Sequence, residues 1–289
     1  MPTEYFEQRE RALLGPRYEQ LYAAPQEAAE RGVTVSALRA MPEQFAQKAD
    51  FPLEVSPFCK AAFVVHAPEF KPGRHPYHHA GVFYSQEPSA SSAAPLLGVQ
   101  PGMRVLDLCA APGGKSATLA QYMENKGTLV SCDAAQNRLT LVGGALERLG
   151  VACGRVLHND AAVYNEAFAG ADAVLCDVPC SGLGVLAKKP DIRQKTLDGL
   201  DGLVRLQRAI LETAARYVRP GGRLVYSTCT LNPDENAGIV RPFLKEHPEF
   251  RTRSVECVLP GTTKDDDFLT LYPFRTGTDG FFIASLERL

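Results

Sequence analysis

Residues 103–120 read Met-Arg-Val-Leu-Asp-Leu-Cys-Ala-Ala-Pro-Gly-Gly-Lys-Ser-Ala-Thr-Leu-Ala. The apolar run from Val105 to Cys109 is too short for a helix and suits a buried strand. It breaks at Ala111-Pro112-Gly113-Gly114, after which Ala117, Leu119, Ala120 and Met123 recur at helical spacing. The stretch therefore reads as a strand, a small-residue turn and a helix. Glycines in the turn let a ligand approach the backbone, and the helix start offers free N–H groups. Three readings of the turn compete: a structural joint, a triphosphate loop, and the nucleoside-binding turn of a Rossmann-like sheet. Gly114-Lys115-Ser116 looks like the end of a phosphate loop, but Cys109 stands where that motif requires its first glycine. The dinucleotide pattern G-x-G-x-x-G is absent as well. A strand ending in Asp107 and followed by such a turn suits a ligand with an amino-acid end and a nucleoside end, such as S-adenosylmethionine.

The chain has 289 residues, 45% of them apolar, enough for one large domain or a domain with a small partner. No uninterrupted apolar run approaches the roughly 18 residues of a membrane span. Met1 to Glu10 carries charges where a secretory signal needs an apolar core, so we expect a cytoplasmic protein with no membrane partner. A net charge of −2 argues against a basic coat over the whole surface and leaves room for a local basic groove. The eight cysteines, at 59, 109, 132, 153, 176, 180, 229 and 257, form no paired C-x-x-C and no disulfide framework, so no metal is expected. A monomer is expected.

Residues 1–84 read as a small N-terminal α+β domain. Helices are expected at Glu4–Leu14, Tyr18–Arg31 and Pro42–Lys48, with Leu13, Leu14, Tyr18, Leu21 and Tyr22 on one buried face. Prolines 52, 57, 68, 72 and 76 then break any helix. Here Phe58, Phe63, Phe70 and Tyr77 interleave with Lys60, Lys71, Arg74 and several histidines. That mixture suits single-stranded RNA, held by stacking and phosphate contacts, or else a small β-rich core that packs the rings inside.

Residues 85–289 alternate strands and helices, as a doubly wound parallel α/β sheet requires. Strands are expected at 103–109, 128–132, 155–158, 171–176 and 223–226, with two more near 267–273 and 280–287. Helices are expected at 135–149 and 201–218, and Asn232-Pro233-Asp234-Glu235 reads as a helix start. Ligands of open α/β sheets bind beyond the carboxyl ends of the strands, and four strands finish there with Asp107, Asp133, Asp160 and Asp177. Asp133 is placed for ribose hydroxyls and Asp160 for an adenine amino group. Some of these acids serve equally well as caps of the helices that follow.

Two cysteines share that edge: Cys180 in Asp177-Val178-Pro179-Cys180-Ser181-Gly182 and Cys229 in Ser227-Thr228-Cys229-Thr230. One would read as a small core hydrophobe; two on neighbouring ligand-edge loops point to chemistry. An oxygen or nitrogen nucleophile needs no enzyme thiol to be methylated. A pyrimidine C5 does, because it becomes nucleophilic only after something adds to C6, and a thiolate suits that reversible addition. An acid beside ring nitrogen N3, the place of Asp177, then stabilises the developing charge.

At these residues the chain resembles the Sun/Nop family of RNA (cytosine-5)-methyltransferases, from about Gly81 to Leu289. The motifs are Asp107 to Lys115, Asp177 to Val185 with Lys189-Pro190-Asp191-Ile192, and Tyr226 to Thr230 followed by Glu235-Asn236. The resemblance implies a seven-stranded S-adenosylmethionine-dependent methyltransferase fold acting on RNA, 16S ribosomal RNA in the most similar bacterial members. It implies that Cys229 is the nucleophile and that Cys180 assists product release. It also implies cofactor contacts from Cys109, Ala110, Ala111, Pro112, Gly113, Gly114, Lys115, Asp133, Arg138, Asp160 and Asp177, with Lys115 and Asp177 also facing the base. Thr34-Val35-Ser36 stands where members often carry Arg-Val-Asn, so no RNA contact is carried over there. The 184–208 loop is locally basic, with Lys188, Lys189, Arg193, Lys195, Arg205 and Arg208, and is expected to hold RNA. Transfer RNA as substrate, a different methylation target, and a non-catalytic ribosome-assembly factor are the alternatives.

Overall fold

The computed structural model describes every residue except 1–3, 24–30, 68, 186–187, 195–196, 254–261 and 266–267. Pro68, Lys195, Cys257 and most of the second half of the helix expected at 18–31 lie outside the described residues. The N-terminal part contributes α1 (Glu4–Leu14), β1 (Arg31–Val35), α2 (Pro42–Lys48), β2 (Leu53–Val55), β3 (Ala62–Val65), α3 (Pro76–His79) and β4 (Phe83–Ser85). The strands form an antiparallel sheet in the order β2-β3-β1-β4. Among the described residues that follow α1, a π-helical turn covers Glu19–Ala23, and Arg31, the expected end of the second helix, starts β1. The β-branched residues of Gly32-Val33-Thr34-Val35 favour a strand, and a Cβ at Gly32 would stand 2.2 Å from the Gln86 carbonyl oxygen, a close approach that only glycine permits.

Phe58, Phe63, Phe83 and Tyr84 are buried as core, Phe51 and Phe70 are partly buried, and Tyr77 is exposed. Phe63 and Phe83 are buried with Phe45 between β1, β3 and α2. Phe51 and Phe70 stack on each other at 4.0 Å, and Phe58 lies beneath Leu97 and Val105. Burial of such rings contributes about 1.5–3 kcal/mol each, which outweighs leaving them free for bases. α1 packs elsewhere: Phe6 and Leu14, with Tyr18, Leu21 and Tyr22 of the following turn, form a cluster with Leu183, Leu231 and Tyr272.

The rest of the chain adds α4 (Ala93–Leu97), β5 (Arg104–Asp107), α5 (Gly114–Tyr122), β6 (Thr128–Asp133), α6 (Gln136–Arg148), β7 (Gly154–His158), β8 (Ala171–Asp177), α7 (Leu200–Tyr217), β9 (Val218–Thr228), α8 (Ala237–Glu246), β10 (Phe250–Thr252), β11 (Thr262–Asp265), β12 (Phe268–Leu271) and β13 (Phe281–Arg288). The sheet runs β11-β12-β13-β9-β8-β5-β6-β7, with β10 also on β13. β5 to β9 are mutually parallel, and β13 is antiparallel to β9. The seven expected strands are adjacent. β10 and β11 extend them to nine; Phe250-Arg251-Thr252 and Thr262 to Asp265 carry too few apolar residues to signal a strand.

Each central strand buries both faces, which is why it reads as a continuous apolar run. Leu106, Val174 and Tyr226 face Ile210, Tyr217 and Phe243 on the α7–α8 side. Val105, Leu175 and Val225 face Leu97, Leu119 and Met123 on the other. Strand order reverses at β5, between β6 and β8, and that switch point opens a crevice above the carboxyl end of β5.

Candidate active site

The turn after β5 bends under α6. Gly113, at φ 109°, would place a Cβ 3.1 Å from Ala145 and 3.4 Å from the Val142 backbone, so only glycine lets the turn lie this close to α6. Of the four strand-end acids, three line one cleft: Asp133, Asp160 and Asp177. It also reaches Cys109, Ala111, Arg138, Cys180 and Cys229. Asp133 is buried and accepts from the Ala135 N–H at 3.0 Å and the Ala111 N–H at 3.3 Å. Arg138 approaches it at 3.5 Å and donates to the Ala111 carbonyl at 3.2 Å. Asp160 is exposed and accepts from the Ala162 N–H at 2.9 Å.

Asp107 departs from the expected quartet. It is fully buried below the turn, accepts from the Ser116 hydroxyl at 2.6 Å, and has its pKa pushed up to about 7 by burial. It anchors the first turn of α5, as a capping acid would. The 109–115 segment also divides. Cys109 and Ala111 border the acid-lined cleft, whereas Ala110, Pro112, Gly114 and Lys115 border a second cavity behind the turn, which Cys109, Ala111 and Asp177 share. Gly113 itself is buried.

At the far end of the cleft, β8 and β9 are paired with Asp177 opposite Ser227, so the loops that follow meet. Cys180 Sγ and Cys229 Sγ are 3.2 Å apart. The hydrogen bond from Cys180 lowers the pKa of Cys229 against the opposing effect of burial, and the same bond together with burial pushes Cys180 well up. Of the two thiols, Cys229 is therefore the more acidic. Lys115 Nζ pairs with Asp177 at 2.7 Å and sits 5.6 Å from the centre of the Phe281 ring. Burial opposes the Lys115 charge, but Asp177 outweighs it and holds the ammonium above its usual range. Ser227 donates to the other Asp177 oxygen at 2.8 Å.

Residues 94–287 match the 16S rRNA methyltransferase RsmB/F family, and residues 1–88 match the N-terminal domain of 16S rRNA methyltransferase RsmF. The chain belongs to the RsmB/F family. It is 40% identical over 210 residues to a probable ribosomal RNA small subunit methyltransferase B of Bacillus subtilis, covering 70% of this chain and 47% of that protein. It is 35% identical over 209 residues to a tRNA (cytosine(72)-C(5))-methyltransferase of Pyrococcus horikoshii, covering 72% of this chain and 53% of that one. The chain thus spans about half the length of these curated relatives. Its fold matches the crystal structure of a methyltransferase homolog protein from Pyrococcus horikoshii with a TM-score of 0.86 and 29% identity, over 99% of this chain and 95% of that one.

Sequence reasoning missed how this RsmB/F chain holds its two thiol loops together. Glu235 was expected to close a helix start. Instead Asn232 caps a short 3₁₀ turn, Pro233–Glu235, and the Glu235 side chain turns inward. It is fully buried and accepts from the Ser181 N–H at 2.8 Å, Gln207 Nε2 at 2.9 Å, Asn232 Nδ2 at 3.0 Å and the Thr230 hydroxyl at 3.4 Å, as well as from the Ser181 hydroxyl. Ser181 follows Cys180 and Thr230 follows Cys229, so one carboxylate ties both loops. Gly184 and Gly280 let the backbones close further: Gly184 N–H donates to the Cys229 carbonyl at 3.0 Å, and a Cβ on Gly184 would stand 2.3 Å from the Gly280 oxygen. The only hint in the sequence was an acid six residues past Cys229 that suited two jobs.

The basic 184–208 loop is less available than its composition implied. Lys188 pairs at 2.7 Å with Asp279, a buried acid, and Arg208 pairs with Glu246 at 2.6 Å. Lys189 and Arg205 remain exposed. Among the described residues no group of three His, Cys, Asp or Glu could hold a metal ion, and no helix is long and apolar enough to cross a membrane.

Proposed function

We propose that this chain methylates C5 of a cytosine in RNA, with S-adenosylmethionine as the methyl donor and ribosomal RNA as the substrate. The observation that carries the reading is the Cys180–Cys229 contact at 3.2 Å, facing the same cleft as Asp133, Asp160 and Asp177. Membership of the RsmB/F family supports it. The donor set fits the cofactor: buried Asp133 suits ribose hydroxyls, exposed Asp160 an amino group, and the small-residue turn an amino-acid end. When bound, S-adenosylmethionine supplies an electrophilic methyl group.

The chain's own residues supply the rest. Cys229, with Cys180 hydrogen-bonded to its sulfur, adds to C6, and the ring electrons move toward C5. Asp177 holds Lys115 beside the polar edge of the ring, and the Lys115 ammonium steadies the negative charge that develops there. After C5 is alkylated, water takes its proton, the Cys229–C6 bond breaks with its electron pair leaving on the sulfur as thiolate, and the ring regains aromaticity. Cys180 is the group placed to assist that release. The reducing cytoplasm, where both thiols stay free, is the compartment that suits this chemistry, and a monomer contains every residue invoked.

Bisulfite mapping of ribosomal and transfer RNA from cells with and without the gene tests the reading. We expect loss of 5-methylcytosine at ribosomal sites. Loss only in transfer RNA would move the substrate toward that of the archaeal relative, and no loss in either would refute cytosine methylation.

A further inference from the structure

The acid-lined cleft runs from Asp160 past Asp133 to both thiols, so the methyl donor and the reacting ring are both assigned to it. The second cavity, behind the turn, is larger than that cleft. Neither thiol lines it, nor do Asp133 and Asp160, yet Lys115 and Asp177 do. It therefore opens beside the reacting base without being the seat of that base. We propose that this cavity receives the base of the nucleotide adjoining the target cytosine and that the Gln86 amide reads it; the proposal rests on the RNA reading above.

Gln86 is built for such contact. Its Oε1 accepts from the Thr34 hydroxyl at 2.9 Å and the Tyr84 hydroxyl at 3.0 Å, so the amide cannot swing. Tyr84 is itself buried, and with its one proton on Gln86 its oxygen accepts from the Thr118 hydroxyl at 2.6 Å. The Gln86 Nε2 has no hydrogen-bond partner among the described residues, and it lies 3.5 Å from where a Gly114 Cβ would stand. Glycine at that place is what lets the Tyr84 ring lie against the turn, since a Cβ there would stand 2.7 Å from its Cε2. A pinned amide with one free end matches a base that presents an acceptor at its edge. A second polar atom of the same cavity, His78 Nδ1, is buried without a hydrogen-bond partner. Between these polar groups, Ala111, Pro112 and Ala145 give apolar contact for the flat faces of a base. A nucleotide bonded to the target through one phosphodiester is the part of an RNA substrate that must lie this near Lys115 and Asp177. Unstacking the target splays its neighbour, and a pocket for that neighbour offsets the cost.

The test is RNA binding measured by fluorescence anisotropy in the presence of S-adenosylhomocysteine, so that turnover is not needed. The probes are nonamer RNAs with a central cytosine whose 5′ or 3′ neighbour is each of the four bases or an abasic nucleotide. With the wild type, an abasic neighbour on one side is expected to weaken binding about tenfold, the loss of one buried hydrogen bond and a stacking face. Gln86→Ala is expected to weaken the best RNA about tenfold and the abasic RNA less than twofold. Thr34→Val, which removes one pin and keeps the size, is the milder variant and should lose discrimination several-fold. Equal affinity of the wild type for abasic and natural neighbours would overturn the proposal. So would a Gln86→Ala protein that loses S-adenosylhomocysteine affinity by calorimetry, because the cavity would then belong to the methyl donor. A wild type that discriminates neighbours but makes no 5-methylcytosine would leave this subsite standing and sink the cytosine reading.

Discussion

At the cofactor end of the cleft, each candidate contact comes from a strand end and the turn or helix just after it. Cys109 to Lys115 follow β5, Asp133 ends β6, and Asp160 follows β7. At the thiol end, the working parts come from all over the chain. Cys180 and Cys229 sit on loops 49 positions apart. Their spacing depends on Glu235, on Gln207 of α7, on the backbone of Gly280, and on a cushion of Phe6, Leu14 and Tyr22 from the N-terminal segment. Binding a nucleoside needs donors and acceptors in a fixed crevice, and the sheet provides them locally. Holding two thiols in contact needs opposing loops to be braced against each other, and distant pieces supply that bracing. The two ends should therefore fail independently.

The largest effect is expected from Glu235→Gln. The carboxylate only accepts, whereas the amide must present an N–H to donors on one side, so at least one thiol loop is released. Losing charge-assisted buried hydrogen bonds costs about 1.5–3 kcal/mol. We expect kcat to fall about 10- to 100-fold with little change in the dissociation constant for S-adenosylmethionine. A variant that instead loses cofactor affinity and keeps kcat would erase the distinction between the ends.

Asp133→Asn should do the reverse. It keeps the shape but weakens the acceptor offered to the ligand, and about tenfold weaker cofactor binding is expected. The rate at which the free protein's Cys229 reacts with iodoacetamide should not move. A changed alkylation rate would mean that the ends are coupled through the sheet.

Asp107→Asn is the smallest of the set. Asp107 titrates near 7 in the folded protein, against an ordinary 3.8. Between these values the folded state keeps a proton that the unfolded chain has released, so stability falls as pH rises through this window and the full penalty is present above it. The asparagine variant escapes the penalty. Its Tm should exceed that of the wild type by a few degrees at pH 8 and by less at pH 5, while both ends of the cleft keep their chemistry. An equal difference at the two pH values would mean that the carboxyl is not the titrating group.

The same contrast explains what the sequence revealed. Val105 to Asp107 and Ala171 to Asp177 are buried on both faces, so they wrote themselves as apolar runs ending in acids, and the sheet with its ligand edge followed. The thiols were legible because each follows a strand end at the ligand edge, and those two strands, β8 and β9, are paired. Glu235 was not legible as a brace, because an acid after Asn-Pro-Asp has a local use in capping and nothing nearby names Ser181 or Gln207 as partners. The ring-rich 51–84 segment left two readings open for a related reason. Composition reports that aromatics and cations are close in sequence, but only the pairing of β1 with β3 and β4 decides that Phe63 and Phe83 point inward. Lys188 was read as free charge because Asp279, its partner, lies 91 positions away.

The central claim is that Cys229 makes the bond to the base and Cys180 helps to break it. Intact-protein mass spectrometry of the Cys180→Ala protein, incubated with substrate RNA and S-adenosylmethionine and then digested with nuclease, tests this most directly. We expect a stable nucleotide adduct that peptide mapping places on Cys229 and that vanishes in the Cys180→Ala, Cys229→Ala double variant. Full release of 5-methylcytosine by Cys180→Ala without an adduct, or an adduct on Cys180 in the Cys229→Ala protein, would contradict the assignment.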